Sequence, residues 1–326
     1  MKIVCNVTRG KEVESYHEVY ATALDEEGKI ILSVGDPDYI TCIRSALKPF
    51  QASAAILEGA TEEAGFISEE IALMCASHNG EKVHVQTAMK MAQKLGLHAS
   101  QYECGTHPPY DKRTREEVRK LNTTFTPFHN NCSGKHSGML SLAKKLKIDP
   151  SGYTHIEHPV QRTIFKQIKK LTGHNHFPHG IDGCSAPTPF LSLKTIASLF
   201  QKLGSGIYPE LTEAYRAMIK HPYLIGGQKR FDTDFNSTLN GRGICKVGGE
   251  AIRGIVLKTT KYGLIGIVIK VLDGNQRAIE VATMATLKHL KVLKEEENKK
   301  LLQYNSKPLY NHRKIHIGEI KAEIRN

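Results

Sequence analysis

Ser45-Ala46-Leu47-Lys48 places a hydroxyl three residues before an amine. At a helix start that spacing puts both side chains on one face. A neutral, partly buried lysine can then take the serine proton and turn the hydroxyl into a nucleophile. The positive end of the helix also favours negative charge developing there. Pro49 is tolerated only in a first turn, which puts the helix start near Ser45. Ser141 and Lys144 repeat the spacing in the middle of a helical pattern and read as a plain surface pair. On spacing alone, a structural role is the simpler reading of either pair.

Four more segments are dense in reactive types. Ser77-His78-Asn79-Gly80-Glu81 follows an apolar helix, and its small and polar residues suggest a loop whose backbone approaches something closely. The plainer alternative is that Asn79 caps the helix starting near Glu81. Asn130-Asn131-Cys132-Ser133-Gly134-Lys135-His136-Ser137 leads straight into an apolar helix. Gly180-Ile181-Asp182-Gly183-Cys184-Ser185-Ala186-Pro187 is a glycine-containing turn with a second thiol. Chemistry alone nominates Cys132, Cys184 and His136 as zinc ligands, joined by one of His174, His176 or His179. Two buried thiols and solvated histidines are the alternative. In Lys246-Val247-Gly248-Gly249-Glu250, glycines beside a strand lysine let a ligand approach the backbone.

The elements that must position these groups follow from periodicity. Lys2–Arg9, Tyr16–Asp25 and Ile30–Val34 read as β-strands, with a turn at Glu26-Glu27-Gly28. Helical spacing runs through Ser45–Gly59, Ser68–Cys75, Lys82–Leu95, Lys112–Leu121, Lys135–Leu146, Pro159–Leu171, Leu193–Leu203 and Pro209–Ile219. Strand character returns at Gly243–Val247, Ile252–Thr259 and Leu264–Val271. A long helix at Arg277–Leu293, a charged run and a short strand at Lys314–Ile320 follow. Strands at both ends and helices between them predict an α+β fold. One antiparallel sheet would join the N- and C-terminal strands, beside a helical lobe, in a single domain spanning residues 1–326.

Composition bounds the rest. The 326 residues are 40% hydrophobic and 24% charged, enough for a sizeable core. The longest apolar runs, near Gly263–Val271, are short and β-branched, so no membrane association is expected. Met1–Arg9 lacks a charged segment followed by an apolar one, so no secretory signal is expected. Seven widely spaced cysteines make a disulfide framework a poor reading and a cytoplasmic setting the expected one. The net charge of +12 invites nucleic acid as a partner. Against that, the lysines are spread along helices, tryptophan is absent, and no nucleic-acid motif occurs, so a basic solvated surface is the expectation.

Taken in order, Arg44-Ser45-x-x-Lys48-Pro49, Ser77-His78-x-Gly80-Glu81, Asn131-Cys132-Ser133-Gly134-Lys135-His136, Asp182-Gly183-Cys184, Lys246-x-Gly248-x-Glu250, Asp273-Gly274 and Asn311-His312-Arg313 resemble the zinc-containing, serine–lysine class of L-asparaginases. That class is similar in fold to serine β-lactamases and β-lactamase-like glutaminases. The resemblance covers nearly the whole chain. It implies two serine–lysine pairs, Ser45 with Lys48 and Ser77 with Lys246. It implies zinc held by Cys132, Lys135 and Cys184, with the lysine as a neutral amine, and so moves His136 from the metal to the substrate pocket. Asp182 would orient the substrate amine or support the metal. Gly80, Arg44 and Glu250 would line the pocket. A homodimer acting on L-asparagine is expected. One departure stands out: the family pattern has alanine where this chain has Gly249, and glycine where it has Ala251.

The resemblance implies that Ser45 attacks the side-chain amide carbon, with Lys48 as base and Ser77 as the alternative nucleophile. Ammonia leaves and water resolves the acyl-enzyme. The competing functions are a glutaminase or another β-lactamase-like amidohydrolase, and a non-catalytic, zinc-stabilised binding protein.

Overall fold

β-Branched segments from the two ends of the chain meet in one antiparallel sheet. In the computed structural model, which describes residues 1–325, its order is Ser306–Tyr310, His316–Arg325, Lys2–Arg9, Glu12–Leu24, Gly263–Val271, Ile252–Thr259 and Gly243–Gly248, with Ile30–Val34 pairing to Glu12–Leu24 off this path. The long strand Glu12–Leu24 makes this possible: its first half pairs with Lys2–Arg9, and its second half with Ile30–Val34 and Gly263–Val271.

Helices cover both faces of this sheet, which is why its central strands lack simple alternation. Successive strand residues point to opposite faces. Arg253 reaches Thr283 of the Ile279–Leu290 helix, Nη1 to Oγ1 at 3.0 Å. Gly254, its neighbour, faces the Leu193–Gly204 helix, where a Cβ would fall 1.9 Å from the Phe200 ring. Gly266 admits the same helix, with Ala197 O only 2.1 Å from a would-be Cβ. Two glycines therefore let a helix lie directly on the sheet.

The chain forms two compact units. Met1–Ala46, Leu191–Gln201 and the residues from Thr238 onward make the sheet unit; Leu47–Phe190 and Lys202–Ser237 make the helical unit. Neither is one continuous stretch of sequence. Within the helical unit, Lys48–Leu57 and Ser133–Lys145 are buried along most of their length. The Ser68–Met74 helix presses against Ser133–Lys145 at two glycines. A Cβ on Gly134 would meet Leu73 O at 2.2 Å, and one on Gly138 would meet Met74 Cε at 2.5 Å.

The α+β segregation matches the expectation, and most strands and helices lie within two residues of their expected bounds. Five local readings need correction. Ser45 lies in a 3-10 turn, Arg44–Leu47, and the α-helix begins at Lys48. The last long helix is Ile279–Leu290, shortened by a 3-10 turn at Gln276–Ala278. Short elements without a periodic signal were not expected: strands Ile40–Cys42, His179–Ile181, Pro187–Ser192 and Ser306–Tyr310, and helices Ala60–Glu63, Pro222–Gly226, Phe231–Leu239 and Glu295–Lys300. Asn79 is not a cap: Glu81 holds the cap position, and Asn79 instead binds Gln228 O and Arg230. Ser141 and Lys144 are not a surface pair. Ser141 is buried with its hydroxyl on Gly138 O, and Lys144 turns to Leu95 O.

Candidate active site

Lys48 is the first residue of a helix whose first eight residues are all buried. Only 1% of it is exposed. Its Nζ lies 2.5 Å from Ala76 O, 3.0 Å from Asn131 O and 3.0 Å from Ser77 Oγ. Three acceptors match the three N–H bonds of an ammonium. Two of the three are backbone carbonyls and the third is the Ser77 hydroxyl. An amine hydrogen-bonded to a hydroxyl in this way is placed to exchange a proton with it. Lys48 therefore meets the second serine directly, a contact not foreseen from sequence.

The loop that carries Ser77 is clamped along its length. Ser77 N–H donates to Ile225 O and Asn79 N–H to Gly226 O. Gly80, at φ +74°, packs where a Cβ would fall 2.8 Å from His129 O and from Pro109 Cβ, so glycine is required there by close approach and by backbone conformation. His78 is fully buried, and burial holds its pKa well below the usual histidine value, with nearby His84 and Lys48 adding to the effect. Its Nδ1 accepts from Gly80 N–H at 3.1 Å, which leaves Nε2–H to donate to Ser133 Oγ at 2.9 Å. The Ser77 loop is thereby tied to the N-terminus of the Ser133–Lys145 helix.

That helix brings the thiols and the second lysine together. Cys132 sits at its N-cap position, and its sulfur donates to Asn131 Oδ1 at 3.2 Å. Lys135 Nζ lies 2.8 Å from Cys184 Sγ. The two thiols face each other: hydrogen bonding with Cys184, with burial, pushes the Cys132 pKa up, while Cys132 and then Lys135 pull the Cys184 pKa down. Burial alone would lower the Lys135 pKa, but the Cys184 and Cys132 sulfurs outweigh it and raise it. Asp182 starts the turn that delivers Cys184. Its N–H donates to Ala186 O at 2.9 Å, its Oδ1 accepts from Gly183 N–H at 2.8 Å, and its charge also favours the Lys135 ammonium. His136 is buried beside this group, with Nδ1 2.6 Å from the Tyr153 hydroxyl. Burial lowers its pKa, opposed by Cys184.

The donor chemistry fits a soft divalent metal in one respect and strains it in another. Two sulfurs and a nitrogen gathered at one point suit zinc. Among the described residues, however, no cluster of three or more His, Cys, Asp or Glu exists. A metal here depends on Lys135 as the third protein donor, and the lysine must first give up its proton. His174, His176 and His179 join no such cluster.

In the sheet unit, a second group surrounds Ser45. Arg44, just before it, is left-handed at φ +51°. The Gly243–Gly248 strand turns into Ile252–Thr259 through Gly249, Glu250 and Ala251. Gly248 approaches the Ser45 turn so closely that a Cβ would meet Ile43 O at 2.8 Å and Ala46 N at 3.1 Å. The Arg44 guanidinium lies over Gly249, where a Cβ would be 2.9 Å from Cζ, and stands 4.0 Å from the Glu250 carboxylate. That cover fits the glycine found at 249. Ala251 sits at φ +51°, the conformation that favours glycine, and Glu250 at +55°. The turn is held by Lys270 Nζ on Glu250 O at 2.6 Å and Gln276 on Gly248 O at 2.9 Å. Lys246 is fully buried, with Nζ 2.6 Å from Val247 O.

Sequence reasoning missed Tyr153, Lys270 and Gln276, which lie in stretches with no distinctive pattern. Asn131 was inside a motif, but its role is its backbone carbonyl, which side-chain chemistry does not reveal.

A lysine hydrogen-bonded to a serine and a pair of facing thiols lie in the helical unit, and a glycine-lined hairpin lies in the sheet unit. The chain belongs to the L-asparaginase II family, whose model matches residues 5–322. No curated protein matches it. Similar solved structures include a β-lactamase from Sphaerobacter thermophilus, at 14% identity, 85% of this chain, 93% of that one and a TM-score of 0.43. A β-lactamase from Burkholderia ambifaria gives 14%, 85%, 96% and 0.43, and one from Francisella tularensis 14%, 84%, 94% and 0.40. No helix among the described residues is long and apolar enough to cross a membrane.

Proposed function

We propose that this protein hydrolyses L-asparagine to aspartate and ammonia, with Lys48 as the proton acceptor of the reacting serine. The observation that carries the reading is the Lys48 amine with two N–H bonds taken by Ala76 O and Asn131 O and its third direction on Ser77 Oγ. Ser45, three residues before Lys48 and only half-buried, attacks the side-chain amide carbon. Lys48 takes its proton, and Ser77 passes a proton from Lys48 to the departing ammonia. Water then resolves the acyl-enzyme by the reverse path. The direct Lys48–Ser77 hydrogen bond favours a second reading, in which Ser77 is itself the nucleophile. Arg44, Gly80, His136, Asp182 and Glu250 are proposed as substrate-binding groups, and Lys246 as the lysine partner of the second serine.

Zinc is proposed as the resident metal, held by Cys132, Cys184 and the deprotonated Lys135. When bound it would supply positive charge for the substrate's polar groups. Cytoplasmic residence and a homodimer complete the proposal.

Ammonia release from L-asparagine, L-glutamine and a chromogenic β-lactam tests the substrate. Release from asparagine alone supports the reading. No release from any of the three, with retention on heparin at physiological salt, would favour a binding protein. Covalent trapping in Ser45→Ala and Ser77→Ala separates the two nucleophiles.

A further inference from the structure

Two glycines of the sheet unit each lie beneath a charged side chain. A Cβ on Gly249 would fall 2.9 Å from both Cζ and Nη2 of Arg44, and 3.2 Å from Nη1. A Cβ on Gly274 would fall 2.3 Å from Oε2 of Glu250. Neither side chain could keep its place over an alanine, so the missing methyls set where both charges sit.

The backbone beneath these charges is fixed. Gly274, at φ +74°, donates its N–H to Val271 O at 3.0 Å. Asp273 anchors the same turn: its Oδ2 lies 2.6 Å from Nδ1 of the buried His17, and its Oδ1 accepts from Asn275 N–H at 3.1 Å. Arg277 Nε donates to His17 Nε2 at 2.8 Å. Lys270 Nζ holds the main chain, on Glu250 O and Val271 O, and not the Glu250 carboxylate.

The two charges end 4.0 Å apart, Arg44 Nη1 to Glu250 Oε1, beyond hydrogen-bond reach. The Glu250 side chain is 69% exposed and the Arg44 side chain 28%. An exposed pair at this distance holds little energy, so a ligand with charges of its own loses little by engaging both. A free α-amino acid carries an ammonium and a carboxylate on one carbon. The arginine fork suits the carboxylate, and the glutamate accepts from the ammonium.

We infer that Glu250 and Arg44, spaced by Gly274 and Gly249, form a receptor for the α-ammonium and α-carboxylate of a free amino acid, next to Ser45 in the chain. The ligand class follows from the paired charges; that the amino acid is asparagine rests on the asparaginase reading. The receptor places the substrate amine on Glu250 rather than on Asp182, whose charge favours the Lys135 ammonium. It also selects free asparagine over asparagine within a peptide, whose α-groups are amides.

Calorimetric titration of the full chain tests this with L-aspartate and N-acetyl-L-aspartate, which lacks the ammonium. L-Aspartate should bind about tenfold more tightly. Glu250→Gln should remove that preference by weakening L-aspartate alone. Gly249→Ala should weaken both ligands several-fold, because it moves the guanidinium, and leave the unfolding midpoint unchanged. Gly249 has no positive φ, and the atoms it meets are the movable end of a side chain. Equal binding of the two ligands, binding of neither, or an unchanged preference in Glu250→Gln overturns the receptor. Parental affinities in Gly249→Ala overturn the glycine seat. Ammonia release from L-asparagine is read separately. Release without a ligand preference sinks the inference and leaves the asparaginase reading; Glu250-dependent binding of L-aspartate without release does the reverse.

Discussion

Replacing Lys48 separates the chemistry of the site from its architecture. Lys48→Met removes three hydrogen bonds from a side chain that is 1% exposed. Two backbone carbonyls, Ala76 O and Asn131 O, lose their lysine donor. Each buried unsatisfied group costs about 1–3 kcal/mol, and removing a buried charge gives part of this back. A net loss of about 2–4 kcal/mol follows, visible as a lower thermal midpoint. The rate should fall by about 10²–10⁴, the span of a lost general base, at every pH, because no neighbour replaces the amine. Lys48→Arg supplies the control. A guanidinium can still donate to both carbonyls, so stability should return toward the parent, but it does not deprotonate and turnover should stay lost. The assays are coupled ammonia release from L-asparagine and thermal unfolding followed by circular dichroism. Lys48→Arg at a near-parental rate would refute the assignment of Lys48 as base.

Further expectations concern the two serines, the metal and two structural positions. Ser45→Ala should abolish ammonia release while barely changing the melting temperature; an undiminished rate would pass the nucleophile to Ser77. Elemental analysis of gently purified protein should find about one zinc per chain, lost in both Cys132→Ser and Cys184→Ala; a zinc-free parent would count against the site. Gly134→Ala should destabilise by at least about 2 kcal/mol, because its Cβ would fall 2.2 Å from Leu73 O, and chemical denaturation measures this. Asp111 caps the Lys112–Lys120 helix by accepting from Thr114 N–H and Oγ1. Desolvation would raise its pKa, but these Thr114 bonds prevail and the pKa lies below 3.8. The stabilisation is therefore present above the usual carboxylate pKa and lost as pH falls through the lowered one. Asp111→Ala should cost about 1 kcal/mol at pH 7 and progressively less below pH 3.8, as read from unfolding curves across that range.

The comparison of sequence with structure turns on range. Lys82–Leu95 and Ile252–Thr259 lie where periodicity places them, because apolar spacing over a dozen residues is a local property. Pro222–Gly226 and His179–Ile181 are too short for a period and take their form from neighbours. Ser45 shows the same limit at finer scale. A proline at 49 signals a helix start, but it does not tell the first α-turn from the 3-10 turn that Arg44–Leu47 forms, against which Gly248 packs at Ile43 and Ala46.

The sequence by itself determined the α+β order, the reactive segments and, through their resemblance, the asparaginase family. These rest on residue types in fixed order along the chain. Only the tertiary structure decided which of them touch. Lys48 bonds Ser77 across 29 positions and Asn131 across 83, and Lys135 meets Cys184 across 49. Tyr153, in a loop with no motif, came to His136 because Glu103 and Gln161 hold its backbone. The physical reason is that a proton's position depends on every donor and acceptor within about 3 Å, and folding brings those groups from distant parts of the chain.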